Sequence, residues 1–323
     1  MAYMELHLLA GGGGGTVYHC RACDKPTGAY IALDGRVRLI AALRQPVVMK
    51  VALESDDDTR AEARTLKLLA HPHVTAVLGV FSGPMMTAEG EVDVVGMLMP
   101  LADEPLSAVW SRGTDPRRLL VHLASGLAHI HSLQYIHGDL HIGNVLRFKD
   151  QWKLCDIGGF VVGVATRCMQ LGTPYWSRSP EVAEHLAEVE RIVGGSDAGR
   201  KPRLRARQAA AAAVRESART RVALRHAIRI PAAPEMDVWA LGSLVYTVAT
   251  RLHWLGPPPS VDSYGWSTHP IEPELEAHDA ARRSTKQRLR AVSSLGELGP
   301  LIVSCLHPSG RPTAGTVERL ARV

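Results

Sequence analysis

The sequence predicts an α+β protein of two lobes, a small β-rich N-lobe with one main helix and a larger, mostly helical C-lobe. Before residue 100, short apolar runs alternate with glycine and proline turn signals, which is the pattern of strands. After it, apolar residues recur at three-to-four spacing, which is the pattern of helices. The chain has 323 residues, of which 46% are hydrophobic and 21% charged. That is enough to bury a core without metal or disulfide staples, and it excludes a disordered or fibrous chain.

Residues 4–9 read as a strand, Gly11 to Gly15 as a loop, and residues 17–23 as a second strand. Asp34-Gly35, between apolar runs at 30–33 and 37–40, marks a hairpin because both turn positions tolerate positive φ. Pro46 opens a strand over 47–53, where a missing N–H is tolerated. Ser55, with Asp58 three residues on, resembles a capping box for a helix running to Ala70, and a strand over 93–99 completes the small sheet. Beyond it, Asp115 caps and Pro116 opens a helix whose Leu119, Leu120, Leu123, Leu127 and Ile130 share one face. Two short strands bracket Asp139 to Asp156, and helices follow.

The net charge of +5 is local: eleven Lys/Arg face two acids between Arg191 and Arg229, while the rest of the chain has 26 bases against 30 acids. Residues 194–234 therefore read as an insertion. It opens with glycines, continues through an alanine run and ends with Pro231 and Pro234. Arg203, Arg207, Arg215 and Arg219 fall on one helical face and Arg221, Arg225 and Arg229 on a second, so a basic helix is expected there. Such a stripe is a solvated face or a docking site for an acidic partner, and its few aromatics argue against nucleic acid. Five cysteines point to a reducing, intracellular setting, the cytoplasm first with the nucleus left open. With no run of about 18 uncharged apolar residues and no basic start before an apolar stretch, neither a membrane span nor a secretory signal is expected.

Five glycines between two strands suit a phosphate-covering loop, because missing side chains let backbone N–H groups approach phosphate oxygens. They also suit a flexible linker. Lys50, alone in an apolar strand, is an edge-strand lysine or a phosphate-binding one held by Glu62 on the next helix. His137-Gly138-Asp139-Leu140-His141-Ile142-Gly143-Asn144 and Cys155-Asp156-Ile157-Gly158 set two carboxylates and an amide among apolar strands, where unpaired acids are costly. Asn144 and Asp156 offer hard oxygens for Mg²⁺, and Asp139 is left to accept a proton.

These motifs resemble, in order, those of a eukaryotic-type protein kinase of divergent Ser/Thr type. Gly172-Thr173-Pro174 with Ser179-Pro180-Glu181 is similar to the family's substrate-docking segment. Asp237-Val238-Trp239 is similar to its central large-lobe helix, and Arg311 to the arginine that pairs with the segment glutamate, here Glu181. The resemblance implies a protein-kinase-like domain over 1–323, with an N-lobe at 1–99, a hinge at 100–102 and a C-lobe at 103–323.

It also implies ATP and Mg²⁺ as cofactors and a protein substrate phosphorylated on Ser/Thr. Leu9, Ala10, Gly11, Gly12, Gly13, Gly14, Gly15, Thr16 and Val17 would cover the nucleotide. Val17, Val48 and Leu146 would sandwich adenine, with Met99 as gatekeeper and Pro100 and Ala102 on the hinge. Lys50, steadied by Glu62, would hold the phosphates, and Asn144 and Asp156 the metal. Asp139 would orient the substrate hydroxyl, and His141 would stand where the family has a lysine facing the γ-phosphate, its charge titrating near neutrality.

The chain departs from the family pattern at several positions. Ala10 replaces a glycine, Val48 an alanine, Ile157 a phenylalanine and Ser179 an alanine, while Gly138 replaces the arginine that anchors a phosphorylated activation segment. Insertions at about 29–46 and before Asp237 are also expected. Gly138 and His141 favour a pseudokinase scaffold, whereas the retention of Lys50, Glu62, Asp139, Asn144 and Asp156 opposes it. The catalytic stretch also resembles that of aminoglycoside-type kinases, which lack counterparts of Gly172–Glu181, Asp237–Gly242 and Arg311. Cys20 and Cys23 with His19 could begin a zinc site, but no second ligand pair lies nearby. His129 and His131 read as helix surface, and His137 as structural.

Overall fold

Seven antiparallel strands make the sheet of the small lobe. In chain order they are β1 (Glu5–Gly12), β2 (Gly15–Arg21), β3 (Ala29–Ala32), β4 (Val37–Leu39), β5 (Val47–Val51), β6 (Gly79–Thr87) and β7 (Gly90–Pro100). The computed structural model describes residues 5–12, 15–21, 29–32, 37–39, 46–51, 56–87, 90–157, 160–167, 177–184, 229–255, 278, 288 and 290–323. The spatial order is β1-β2-β5-β7-β6-β3-β4. The expected hairpin is present, with Tyr30 opposite Arg38, although its Asp34-Gly35 turn lies outside the described residues. It does not lie between its chain neighbours. It pairs with β6, Tyr30 facing Phe81, and so extends the far edge of the sheet. The sequence reading passed over β6, whose interior Gly83 and Pro84 are poor strand residues.

Helix α1 (Asp56–Leu68) packs on the sheet through buried Ala63, Leu66 and the following Leu69. Ser55, its expected cap, lies outside the described residues. The chain then crosses to the large lobe twice. At the front, Leu101 N donates to Pro46 O at 2.9 Å and Asp103 N to Arg147 O at 2.9 Å. At the rear, residues 69–78 lie against the large lobe, with Thr75 N donating to Leu154 O at 2.8 Å and Leu154 N to His73 O at 2.9 Å.

The large lobe is built on two helices, α3 (Pro116–Ser132) and α4 (Pro234–Thr250), preceded by β8 (Glu104–Pro105) and the short α2 (Leu106–Val109). Asp115 caps α3 as expected, its carboxylate accepting from Arg117 N at 2.9 Å, with Pro116 pre-set in φ at the first helical position. Leu119, Leu120, Leu123, Leu127 and Ile130 are completely buried. Each contributes about 1.5–3 kcal/mol of transfer free energy. Helix α4 is buried on every side from Met236 to Val248, as a helix apolar all round must be. Helices α5 (Leu298–Cys305) and α6 (Ala314–Ala321) close the lobe, and α6 packs along α3.

The strands β9 (Tyr135–Ile136), β10 (Val145–Phe148), β11 (Gln151–Leu154) and β12 (Phe160–Val161) surround the catalytic stretch. β9 and β12, which pair with each other, are the two bracketing strands, and the β10–β11 hairpin lies between them. Farther on, β13 (Ala165–Arg167) pairs with β14 (Arg229–Pro231). This corrects the reading of the basic insertion: Arg229 opens a strand and does not end a helical stripe. Ile230 is β-branched, and the residue before Pro231 is held out of the helical region. Residues 194–228 lie outside the described residues.

Four imidazoles fill the rear crossing. His71 stacks on His129 with ring centroids 5.0 Å apart, and His73 on His122 at 4.2 Å. His73 Nδ1 donates to Trp152 O at 3.0 Å, while His122 Nδ1 accepts from Trp152 N at 3.2 Å. Helix and loop meet closely here because Gly126 has no side chain; a Cβ there would lie 2.9 Å from His73 O. His129 is therefore packed between elements and is not on the helix surface.

Candidate active site

The glycine run joins two paired strands, β1 and β2, and is not a linker between separate units. Gly12 faces Gly15 and Ala10 faces Val17, with a bulge at Leu9, and Gly11 faces Thr16. Gly13 and Gly14 lie outside the described residues. The next strand brings Lys50 opposite Val17, so register alone places the lysine beside the base of this loop. Val48 lies opposite Met99 and Val47 opposite Pro100. On the hinge, Leu101 N–H is spent on Pro46 O, while Ala102 N–H has no protein partner among the described residues. Leu146 stands in β10 below.

Lys50 is the centre of a charged cluster. Its Nζ donates to Glu62 Oε1 at 2.9 Å and to Asp156 Oδ1 at 2.5 Å. Burial pulls its pKa down, but the Asp156 and Glu62 carboxylates outweigh that and hold it above the ordinary lysine value. One ammonium thus spans strand, helix and the far lobe, as the sequence reading expected for Glu62. Asp156 is reached with a φ of 55°, a left-handed conformation that Asp tolerates better than most residues.

Asp139 faces two neighbours. Asn144 Nδ2 donates to its carbonyl at 2.9 Å and to its Oδ2 at 3.3 Å, and His141 Nε2 lies 3.8 Å from Oδ2. His141 also caps the short turn Ile142–Asn144, its Nδ1 accepting from Gly143 N at 3.0 Å. An accepting Nδ1 is unprotonated, so the neutral ring carries its hydrogen on Nε2, towards Asp139. Burial pushes the imidazolium below its ordinary range, opposed in part by the Asp139 carboxylate. The expected titration near neutrality is therefore displaced downward.

The loop bearing Asp139 hangs on a residue to which the sequence reading gave no role. Asp237, fully buried at the start of α4, accepts from His137 N at 2.7 Å, Gly138 N at 2.9 Å and His131 Nε2 at 2.9 Å. Burial raises its pKa, but His131 and the backbone donors more than offset this and hold it below the ordinary carboxylate value. His131 is therefore not a surface residue; only 11% of its side chain is exposed. A carboxylate inside an otherwise apolar helix was the available signal, because a buried acid must be paired. His137 is structural, as expected. Its Nδ1 accepts from Asp139 N at 3.3 Å, and its Nε2 donates to Cys155 O at 3.0 Å, which ties the loop to the residue preceding Asp156.

At the far end of the segment, Arg311 Nη2 meets Glu181 Oε1 at 2.7 Å. The guanidinium side chain, 1% exposed, also donates to His307 O, Glu235 O and Pro308 O. Gly172 and Thr173 lie outside the described residues.

The donor set fits Mg²⁺. Asn144 spends its amide hydrogens on Asp139 and leaves Oδ1 without a protein partner among the described residues. Asp156 keeps Oδ2 beyond its bond to Lys50 and is 42% exposed. Two oxygens, completed by water and phosphate, are what this ion takes. Among the described residues no group of three or more His, Cys, Asp or Glu could hold a metal ion by itself.

Residues 33–167 match a family model for protein tyrosine and serine/threonine kinases. CBL-interacting protein kinase 22 of Oryza sativa subsp. japonica is 32% identical over 165 residues, covering 47% of this chain and 34% of that protein. Serine/threonine-protein kinase Tao of Drosophila melanogaster is 26% identical over 184 residues, 56% of this chain and 16% of that protein. Serine/threonine-protein kinase 4 homolog A of Dictyostelium discoideum is 29% identical over 177 residues, 49% and 34%. The chain thus spans about a third or less of the length of these relatives. Sequence match, bilobal fold and the paired lysine and carboxylates agree in their likeness to the eukaryotic-type protein kinases.

Proposed function

We propose that this chain transfers the γ-phosphoryl group of ATP to Ser/Thr hydroxyls of a protein substrate. The observation that carries the reading is the meeting of Lys50, Glu62 and Asp156 across the lobes, beside Asp139 and Asn144. In this reading the β1–β2 turn covers the phosphates and Lys50 holds them. Val48, Met99 and Leu146 bound the adenine, and Ala102 N–H donates to it. Asn144 and Asp156 hold Mg²⁺, which when bound neutralises charge on the phosphates.

Asp139 positions the substrate hydroxyl and takes its proton, while Asn144 and the Nε2–H of His141 fix the carboxylate's orientation. The Arg311–Glu181 pair and α4 support a protein substrate over a small molecule. Free Cys155 and Cys305 agree with a reducing compartment, and among the described residues no helix is long and apolar enough to cross a membrane. The basic insertion is assigned to an acidic partner.

The test is Mg²⁺-dependent ATP turnover on a generic protein substrate. Wild type should transfer phosphate to Ser/Thr. Asp139→Asn should lose transfer while still binding nucleotide, and Asp156→Asn should lose Mg²⁺-dependent nucleotide binding by calorimetry. Equal turnover by wild type and Asp139→Asn would refute the assignment.

A further inference from the structure

In kinases, activation loops are ordered by phosphorylation through new pairs between arginine and the phosphorylated side chain. Here the position before Asp139 is Gly138, with φ +78° and Phe160 Cδ2 only 2.6 Å from where a Cβ would stand. Both the left-handed backbone and the Phe160 ring disfavour a side chain there, arginine included. The same stretch of chain is instead held by backbone. Phe160 pairs with Ile136 and Val161 with Tyr135. Val162 N donates to Gln134 O at 2.9 Å, Gly163 N to Ala232 O at 2.9 Å and, in return, Ala232 N to Val164 O at 3.3 Å. Then Ala165, Thr166 and Arg167 face Pro231, Ile230 and Arg229.

Counted from the Ala232–Val164 bond, antiparallel alternation makes Thr166 and Ile230 the mutually bonded pair. Pro231, which has no N–H to give, falls opposite Ala165, where none is needed. From residue 160 to 167 the segment is thus continuously laddered. Its second partner is the last piece of the basic insertion, directly before the α4 that carries Asp237.

We propose that the β13–β14 ribbon anchors the activation segment in place of a phosphorylated side chain, so that the end of the insertion, and not a modification, sets the segment's order. This rests on the kinase reading for its consequence in activity, but the ribbon can be tested without it. Ile230→Pro removes the donor of the bonded pair. Backbone amide exchange at residues 163–167 should then accelerate by about tenfold or more, the worth of a lost hydrogen bond, and phosphoryl transfer should fall with it.

A second variant pair, Ala165→Cys with Pro231→Cys, exploits the close Cα approach of a non-bonded pair, which suits a disulfide. Oxidised, it should keep full activity and slow exchange. Wild type should keep its activity after phosphatase treatment, as should Thr166→Ala. Unchanged exchange in Ile230→Pro would overturn the proposal. So would activity abolished by phosphatase, or an oxidised cross-link that silences the enzyme until it is reduced. Absence of transfer by wild type would count against the kinase reading alone, because the exchange result stands without turnover.

Discussion

Among the described residues, two of the contacts that join the lobes are of opposite chemistry. At the front, Lys50 joins Glu62 to Asp156 by full charges. At the rear, His71, His73, His122 and His129 join the loop after α1 to α3 by stacked rings. The front pairs are directional and partly wet, and Asp156 at 42% exposure keeps an oxygen to give to a ligand. Two of the rear rings depend on staying uncharged: His71 Nδ1 accepts from His73 N, and His122 Nδ1 from Trp152 N, so a proton on either accepting nitrogen breaks a bond. One contact is built to exchange partners and the other to keep them.

The largest expected effect breaks the front alone. Lys50→Met removes the ammonium that the proposed reading sets against the phosphates, so kcat/KM should fall by about 100-fold or more, while loss of its two ion pairs lowers the melting temperature without unfolding the protein. Collapse of the fold instead would mean the front contact is structural.

Acid should break the rear. Burial is the first cause holding His71, His73 and His122 below the ordinary imidazole value, His122 at about 4. His71 also faces His129, His73, Lys153 and Glu318, and His73 faces Lys153, Arg322, Glu318 and the Trp152 carbonyl. His122 faces His73, Arg118, Arg322 and Asp115. Groups depressed in the folded state bind protons more readily unfolded. Stability is therefore full above about pH 6.5 and falls progressively below it. Lys50, whose pKa is raised, has the opposite sign: its contribution is fully present below about pH 10.4 and is lost only in alkali. Urea midpoints from pH 8 to pH 4 would show the first effect, and His122→Gln should flatten the curve. An equally steep curve for the variant would remove His122 from the account.

Gly138→Ala is a smaller test, confined to the front loop. A left-handed backbone and the Phe160 ring together should cost about 1–3 kcal/mol of stability, measured by denaturant titration. A neutral result would mean that Phe160 moves freely.

His141→Ala should have the smallest effect, lowering kcat by about tenfold, or 1.4 kcal/mol, because a neutral ring only orients Asp139. The kcat/KM profile should lack a His141 inflection near pH 6.5. An inflection there that disappears in His141→Lys would restore the ring as a titrating phosphate contact.

Half of the front contact was legible in the sequence because it is local: Lys50 and Glu62 are 12 residues apart, and Ala63 and Leu66 declare the orientation of the helix face that carries Glu62. The bond from Lys50 to Asp156, 106 residues away, was not legible. The rear contact was not legible, because stacked histidines leave no periodic trace and one of them, His129, read as helix surface. The role of Asp237 was hidden for a related reason: its partners His131 and His137 are 106 and 100 residues away. The strand pairing of Ala165 to Arg167 was likewise invisible, since three-residue strands carry too little pattern to separate them from loop. The lobes themselves were legible from hydrophobic period alone, except for β6 and the far-edge placement of the β3–β4 hairpin.

The distance between Asp237 and the loop it holds has a consequence during synthesis. His137 leaves the ribosome 100 residues before the carboxylate that takes its N–H. At about 5–20 residues per second, the nascent chain spends some seconds with its catalytic stretch made but unmoored, and the first lobe already able to collapse around Lys50. Ribosome-bound chains stalled ahead of residue 237 should therefore expose residues 137–144 to protease, and release just beyond it should conceal them. Translation itself delays the moment at which the loop bearing Asp139 is fixed until the core helix of the second lobe is in hand.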